Sequence, residues 1–269
     1  MLSTKQLILN LNTQQKKIKV NIDEEFNFDN LKKAYILLSG KIISYGERNY
    51  TQLLKKNDPI GFAESILARK NVLKYKRLTD ITLLEFNAKN IRNAVYQSNA
   101  ALIALIKYCL ARIFTPTKSN PKSHYLFEDE FVYKNWKLLE TKTFNDAAII
   151  FSHGNSARNM YYIEKGKVRL VSKENKLIKV LNAGESFGEI ALIRGRKRYN
   201  SAISVDHTSL KVIKEVMVSK LIGNENPLVQ LVVMSLAKKL EIINGIRSID
   251  HHNKLENDGL ITGINKKIN

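Results

Sequence analysis

A short strand-and-turn pattern occurs twice in this chain, at an offset of 126 residues. Tyr35 begins the run YILLSGKI and Tyr161 begins the run YYIEKGKV, so a tyrosine, a glycine and a lysine recur at matching positions. At an offset of 127, residues 58–63 align with 185–190, and residues 83–86 align with 210–213. An internal repeat of this kind indicates two copies of one fold.

Each copy has short β-rich segments and glycine turns, followed by a helical pattern at residues 88–114 and 216–246. This order is typical of the α+β class, with two tandem jelly-roll β-barrels that each carry helices at one end. The run TPTKSNPKS at residues 115–123 is rich in helix breakers and marks a boundary. We therefore predict a first domain at 1–114, a linker at 115–127, a second domain at 128–247 and a polar tail at 248–269.

The stretch GESFGEIALIRGRKRYNSA at residues 184–202 combines a glycine turn, a short apolar helix start and a basic arm. Gly188 lets the backbone approach a ligand closely, and Glu189 supplies an acceptor beside it. The amides at such a helix start attract an anion. Arg198 follows ten residues after Gly188 and can present a fork of donors from the other side. One anion could therefore be held between the two.

The run FGEIALI at residues 187–193, followed by the basic loop, resembles the phosphate-binding cassette of cyclic-nucleotide-binding domains. The segments at 149–154, 161–170 and 181–185 are similar to the successive strands and turns of that family. The resemblance implies that Glu189 accepts the ribose 2′-hydroxyl and that Arg198 pairs with a phosphate oxygen. It also implies that the amides around Gly188 bind the cyclic phosphate, with cyclic AMP or cyclic GMP as the ligand and no metal.

Two registers for the cation are open. The spacing of Arg198 from Gly188 matches the shorter cassettes of the family, such as those of cyclic-AMP-dependent kinase regulatory subunits, and we favour it. If the Ser201–Ala202 pair sets the alignment instead, Asn200 takes the cation position and affinity falls by about 1.5–3 kcal/mol or more. The candidate ligand site comprises Phe187, Gly188, Glu189, Ile190, Ala191, Arg198, Tyr199, Asn200, Ser201 and Ala202.

The first copy departs from the cassette at its charged positions. Phe62 stands in place of Glu189 and Asn71 in place of Arg198, while Glu64 and Lys70 have the wrong spacing. A cyclic nucleotide there would have no charged partner for its phosphate. We expect an empty, structural first domain that packs against the second domain or a partner.

Composition and residue spacing exclude or disfavour several other classes of protein. The only cysteine, Cys109, excludes an intramolecular disulfide, and the five histidines lack the spacing of metal ligands. We expect no signal peptide and no membrane span, hence a cytoplasmic protein. No nucleophile and base pair accompanies the carboxylates, so we expect no enzyme activity. The formal net charge is +19, but the lysines are spread along the chain, which disfavours a nucleic-acid-binding surface.

Two helices carry apolar stripes. The second copy's last helix has an apolar face and a polar face with Lys238, Lys239 and Glu241. Its apolar face either covers its own barrel or forms a homodimer seam. Residues 99–114 are more apolar still and are predicted to lie between the two domains or in a homodimer. The apolar face consists of Val229, Val232, Val233, Leu236, Leu240 and Ile243.

The leading hypothesis is a non-enzymatic regulator whose second domain binds a cyclic purine nucleotide and shifts its C-terminal helix. The chain ends 25 residues after Asn244, so no winged helix-turn-helix is expected and the signal would pass to an unknown protein partner. Two alternatives remain open. One is a nucleotide-free interaction scaffold built from degenerate barrels, and the other is nucleic-acid binding through the basic surface.

Overall fold

A computed structural model describes residues 3–11, 15–46, 51–70, 73–114 and 127–244 of the protein. Within them the N-terminal half has seven strands and four helices. In chain order these are α1 (Thr4–Leu9), β1 (Lys16–Val20), β2 (Lys33–Ser39), β3 (Ile42–Tyr45), β4 (Thr51–Leu53), β5 (Pro59–Ile60), α2 (Phe62–Leu67), β6 (Lys74–Arg77), β7 (Ile81–Asn87), α3 (Ala88–Tyr96) and α4 (Ala100–Phe114).

The described C-terminal half begins with a π-helical turn at Glu128–Tyr133 and a 3-10 turn at Trp136–Leu138. Six strands and three helices follow: β8 (Glu140–Phe144), β9 (Ile149–Phe151), β10 (Asn159–Val171), β11 (Leu177–Asn182), β12 (Ser186–Phe187), α5 (Glu189–Ile193), β13 (Ser201–Lys214), α6 (Glu215–Gly223) and α7 (227–244).

The strands form antiparallel sheets. In the N-terminal half, one sheet has the order β1-β7-β2-β5 and a second has the order β4-β3-β6. In the C-terminal half, a six-stranded sheet has the path β11-β10-β13-β8, with β12 paired to β10 and β9 paired to β13. None of the sheets in the described ranges closes into a barrel. The fold is therefore a mixture of sheets and helices, and the predicted pair of closed barrels is not found.

The two halves repeat one local arrangement. Gly61 lies between β5 and α2 with φ 79°, and Gly188 lies between β12 and α5 with φ 85°. Each of these left-handed glycines starts a short helix. The helix after the last strand begins at Ala88 in the first half and at Glu215 in the second, an offset of 127 residues.

Both faces of strand β10 are buried over residues 160–163, because this part of the strand lies between two apolar clusters. Met160 and Tyr162 belong to the main cluster, which also contains residues of β2, β7, α4, α6 and α7. Tyr161 and Ile163 point to the opposite face and belong to a smaller cluster with Phe187 and Leu210. The alternation follows from the two-residue period of a strand. The main cluster contains residues from both halves of the chain.

Helix α7 is buried on every side over residues 229–240. The sequence assigned Lys238 and Lys239 to a polar face, but each is only 4% exposed. They pair with acidic side chains of the N-terminal half: Lys238 lies 3.7 Å from Asp58, and Lys239 pairs with Glu64. The polar face of this helix therefore packs within the same chain, and a homodimer seam stays a prediction.

Several expectations concern residues outside the described ranges, namely Asn71, most of the 115–127 linker and the 248–269 tail. Phe127, at the end of that linker, is fully buried and stacks on Phe131 with 5.2 Å between ring centroids. No helix in the described part of the chain has the length and apolar character needed to cross a membrane.

Candidate functional site

A cavity of about 630 Å³ lies at the start of α5. Its volume falls in the range of roughly 300–1,000 Å³ that is usual for small-molecule sites. Its wall includes seven of the predicted site residues: Gly188, Glu189, Ile190, Ala191, Arg198, Tyr199 and Asn200. The remaining lining comes from α4 (Arg112), from β9, β10 and the turn after β9 (Phe151, His153, Gly154, Leu170), from the basic loop (Arg194, Gly195, Arg196, Lys197) and from α7 (Glu241, Asn244).

The glycine at position 188 is required by the space around it. A Cβ atom there would lie 2.9 Å from Nη1 of Arg198 and 3.7 Å from the carbonyl oxygen of Asn159. Its φ of 85° is also one that other residues rarely adopt. The residues that follow form α5, and the first N–H groups of a helix have no partner within it. Gly188, whose carbonyl contacts Arg198, thus precedes amides that have no partner within α5.

Arg198 is a buried cation at the cavity wall, only 4% exposed. Its Nη1 donates to the carbonyl oxygen of Gly188 at 2.8 Å, and its Nη2 donates to that of Asn159. The guanidinium carbon lies 4.0 Å from the centroid of the Phe151 ring, in a cation–π contact. Burial lowers the pKa of Arg198, yet an arginine in a protein keeps its charge.

One donor of Arg198 is unused. Its Nε is buried and has no hydrogen-bond partner among the described residues. A buried donor without a partner is costly. Because the atom is enclosed by the protein, it does not by itself mark where a ligand binds.

Backbone hydrogen bonds fix the loop that carries Arg198. Its N–H donates to the carbonyl of Asn155 at 2.7 Å, and its carbonyl accepts from the N–H of Gly154 at 2.9 Å. Tyr199, which follows, is 54% exposed, and Asn200 lines the cavity farther along the chain. Arg198 contacts the Gly188 turn directly. The choice between Arg198 and Asn200 for the phosphate stays a prediction.

Glu189 lies at the start of α5 and is only 2% exposed. Its Oε1 accepts a hydrogen bond from Nη1 of Arg112 at 2.7 Å, and Arg112 belongs to α4 of the N-terminal half. Burial alone would lower the pKa of Arg112, but the Glu189 carboxylate holds it above its usual range. The Glu189 carboxylate is therefore tied to the first half of the chain.

A buried hydrogen-bond chain continues from Arg112. Its Nη1 also donates to the hydroxyl of Tyr108 at 2.8 Å, and that hydroxyl donates to the carbonyl of Ser186 at 2.8 Å. The Ser186 hydroxyl donates to Oε1 of Glu128 at 2.7 Å. Burial raises the pKa of Glu128 to about 7. The chain thus links α4, the strand before the cassette and the π-helical turn.

Three predicted site residues do not line the cavity but support it. Phe187 is 1% exposed and stacks on Tyr161, with 5.3 Å between ring centroids. The Ser201 hydroxyl accepts from the N–H of His153 at 2.9 Å, and Ala202 is fully buried in the smaller apolar cluster. They hold the cavity wall in place.

The sequence did not identify the residues that α4 and α7 bring to the cavity. Oε2 of Glu241 lies 3.5 Å from Nε of Arg194, and its Oε1 lies 3.4 Å from Nη1 of Arg196. Arg112 could have been noticed as a charge in an otherwise apolar helix. Nothing in the local pattern connects it with residues 77 positions away.

Comparison with known proteins finds a family match for part of the chain. Residues 141–225 match the family model described as the cyclic nucleotide-binding domain. This segment is similar to that domain. It contains the Gly188 turn, α5, Arg198 and the strands that support them.

Three relatives illustrate the range of similarity. The cAMP/cGMP-dependent 3′,5′-cAMP/cGMP phosphodiesterase B of Dictyostelium discoideum is 26% identical over 170 residues, which cover 60% of this chain and 15% of that protein. The cAMP-bound EAL enzyme Bd1971 is 30% identical over 47% of this chain and 34% of its own, with a TM-score of 0.35. The regulatory domain of Toxoplasma gondii PKA, crystallised with cAMP, is 19% identical over 84% of this chain and 85% of its own, with a TM-score of 0.32.

The chain thus spans 15% of the length of the Dictyostelium phosphodiesterase and 34% of the EAL enzyme. Among the described residues, no group of histidine, cysteine, aspartate and glutamate side chains could hold a metal ion.

Proposed function

We propose that the protein is a regulator that binds cyclic AMP or cyclic GMP in this cavity and signals through protein contacts. The observation that carries the proposal is Arg198. It is a buried cation on the cavity wall, and it lies against the glycine turn that starts α5. A monoanionic cyclic phosphate in the cavity is attracted by this charge and by the amides at the start of α5.

The remaining groups match the other parts of a cyclic nucleotide. Arg112 bonds Oε1 of Glu189, which leaves Oε2 to accept the ribose 2′-hydroxyl. With the phosphate at Arg198 and the ribose at Glu189, the purine extends towards the wall that α7 provides through Glu241 and Asn244. Both carboxylates at the cavity are paired with arginines, which supports binding over catalysis as the role of the site.

The contacts of α7 provide a route for a signal. Glu241 on α7 contacts Arg194 and Arg196 of the basic loop, and the same helix contacts the N-terminal half through Lys238 and Lys239. A ligand that repositions the loop would change the loop contacts of α7 and favour one placement of the helix. Such differential affinity is what shifts a conformational equilibrium.

The N-terminal half is, in this proposal, a degenerate copy of the same fold. The recurrence of a strand, a left-handed glycine and a short helix at Gly61 and Gly188 supports it. Phe62, which takes the place of Glu189, is 2% exposed and packs on Phe86 with 5.3 Å between ring centroids. An apolar side chain in a core cannot accept a ribose hydroxyl, so this half does not bind a nucleotide of its own.

Isothermal titration calorimetry with cyclic AMP, cyclic GMP and linear AMP tests the proposal. Wild type should bind a cyclic nucleotide, and Arg198→Ala should weaken binding by about 1.5–3 kcal/mol, roughly 10- to 150-fold, because a charge-assisted hydrogen bond is lost. Arg169→Ala, an exposed arginine on β10, is the matched control and should bind normally. Absent wild-type binding, or full binding by Arg198→Ala, would refute the assigned site.

One observation favours a nucleotide-free scaffold as the second candidate. Arg198 and Glu189 already contact protein groups, namely two backbone carbonyls and Arg112. A ligand that binds only the native state must stabilise it. An unchanged melting temperature with millimolar cyclic AMP and cyclic GMP would therefore support the scaffold.

A further inference from the structure

We propose that Arg112, from the N-terminal half, is a positioning residue of the nucleotide site, holding Glu189 for the ribose 2′-hydroxyl. The site is then completed by both halves of the chain, which gives the half without a cassette a direct role in ligand recognition. The inference rests on the proposed function, because it concerns how the same cavity recognises ribose.

The first argument is the burial of Glu189. A carboxylate that is only 2% exposed needs a partner, since an unpaired buried charge is strongly destabilising. Arg112 is that partner at 2.7 Å, and it also lines the cavity. It contacts one carboxylate oxygen and thereby fixes the direction of the other.

The second argument is that Arg112 is itself held in place. Its Nη1 donates to the Tyr108 hydroxyl at 2.8 Å, and its guanidinium carbon lies 5.5 Å from the Tyr108 ring centroid. The Tyr108 hydroxyl donates in turn to the backbone of Ser186 at 2.8 Å. Helix α4 therefore contacts the segment around Gly188 at two residues, Ser186 before the glycine and Glu189 after it. A residue held this way can orient another with little loss of conformational entropy.

The third argument is that the arrangement occurs twice. Lys239 of α7 pairs with Glu64 of α2, and Lys239 lies 127 residues after Arg112. Each long helix thus supplies a cation to a glutamate in the short helix of the other half. The two cations are at equivalent positions, whereas Glu64 aligns with Ala191 and Glu189 aligns with Phe62, so the helix-to-helix contact recurs with a shifted carboxylate. The two pairs differ in surroundings, since both members of the Arg112–Glu189 pair line the cavity.

The proposal predicts that losing Arg112 has different effects on the binding of two ligands, cyclic AMP and 2′-deoxy cyclic AMP. Without Arg112, the Glu189 carboxylate loses the contact that fixes its direction, so the bond to the ribose hydroxyl weakens. The phosphate contacts of Arg198 and the α5 amides do not involve Arg112. Loss of Arg112 should therefore affect cyclic AMP much more than 2′-deoxy cyclic AMP.

Calorimetry on the full chain with both ligands tests this distinction. We expect wild type to prefer cyclic AMP by about tenfold, the usual size of one hydrogen bond to a charged group. Arg112→Ala should lower this preference to about twofold or less, while binding of 2′-deoxy cyclic AMP changes less than about threefold. Lys107→Ala, an exposed cation on the same helix, should leave both affinities unchanged. Circular dichroism verifies that each variant is folded.

Two further variants separate positioning from a structural role. Arg112→Lys keeps the charge and should recover part of the preference; it also replaces Arg112→Ala in the comparison if the alanine variant does not fold. In a Glu189→Gln background, Arg112→Ala should change the preference no further, because its effect acts through Glu189.

Equal losses for the two ligands in Arg112→Ala would overturn the inference, because a general packing defect acts on both. Tighter binding of cyclic AMP would also overturn it, by showing that Arg112 competes with the ribose. If wild type binds neither nucleotide, the proposed function fails and this inference fails with it. An unchanged preference alongside intact wild-type binding refutes this inference alone.

Discussion

Gly188 and Arg198 depend on each other at the residue scale. The guanidinium occupies the space that a side chain at position 188 would need, and it donates to the carbonyl of Gly188 itself. The turn thus determines where the guanidinium lies, and the hydrogen bond from the guanidinium stabilises the turn. A substitution at either position should therefore change the geometry of the other.

Gly188→Ala should therefore destabilise the fold and weaken nucleotide binding together. The left-handed backbone costs about 1–2 kcal/mol with any Cβ, and a Cβ 2.9 Å from Nη1 displaces Arg198 in addition. Chemical denaturation and calorimetry measure the two effects. Gly61→Ala is the control, because Gly61 has a similar φ of 79°, lies outside the cavity, and its added Cβ would meet no atom closer than 3.3 Å. Equal losses of stability and of nucleotide affinity in the two variants would show that the contact with Arg198 contributes nothing to either.

Glu128 should make stability depend on pH. Burial raises its pKa from 4.5 to about 7, so between these values the folded state holds a proton that the unfolded state releases. The free energy of unfolding should then fall by about 3 kcal/mol as the pH rises through this window. Urea denaturation at pH 5 and pH 8 measures the fall. Glu128→Gln should abolish it and Glu215→Gln, an exposed glutamate, should not; a fall that persists in Glu128→Gln would assign it to another group.

The sequence predicted the cavity residues that are near one another along the chain. Gly188, Glu189 and Arg198 lie within eleven positions and are joined by one turn and one loop, so their spacing carries geometric information. Arg112 and Glu241 reach the cavity from separate helices, and their placement depends on how those helices pack. No local pattern encodes that packing.

At the scale of elements, α4 and α7 determine how the two halves meet. The apolar stripe of α7 could be predicted from the helical spacing of its apolar residues. The burial of its polar face depends on acidic partners in the N-terminal half. Asp58 and Glu64 lie more than 170 residues earlier in the chain. The sequence thus indicated the helix and one face, but not the surface that covers the other.

Lys239→Met should cost about 3–5 kcal/mol, because it leaves the Glu64 carboxylate buried without its cation. The double variant Lys239→Met with Glu64→Gln should recover most of this loss, since no uncompensated charge remains. Equilibrium denaturation gives both values. Lys220→Met, at an exposed position of α6, should change stability by less than about 0.5 kcal/mol. Additive effects of the two substitutions would contradict a direct pair.

At the scale of the whole molecule, the main apolar cluster joins residues of both halves. Ile36 and Leu105 from the first half belong to the same cluster as Leu192 and Leu236 from the second. A shared core couples the unfolding of the parts that contribute to it. The recurring strand pattern predicted two units in sequence, but it could not predict that they share one core.

Unfolding in urea should therefore be a single transition. The only tryptophan, Trp136, reports on the second half, whereas far-UV circular dichroism reports on both. We expect the two probes to give the same midpoint. Clearly separated midpoints would show that the halves unfold independently and that the shared cluster contributes little.

The smaller apolar cluster has a consequence for how affinity could change among related sequences. The Arg198 guanidinium carbon lies 4.0 Å from the centroid of the Phe151 ring, which packs against this cluster, and 6.0 Å from that of Tyr161. Phe187 stacks on Tyr161. Because neither Tyr161 nor Phe187 lines the cavity, a change in the volume of either ring is expected to move the guanidinium without changing a residue of the cavity wall. Mutations inside the sheet would then alter phosphate affinity from behind the site.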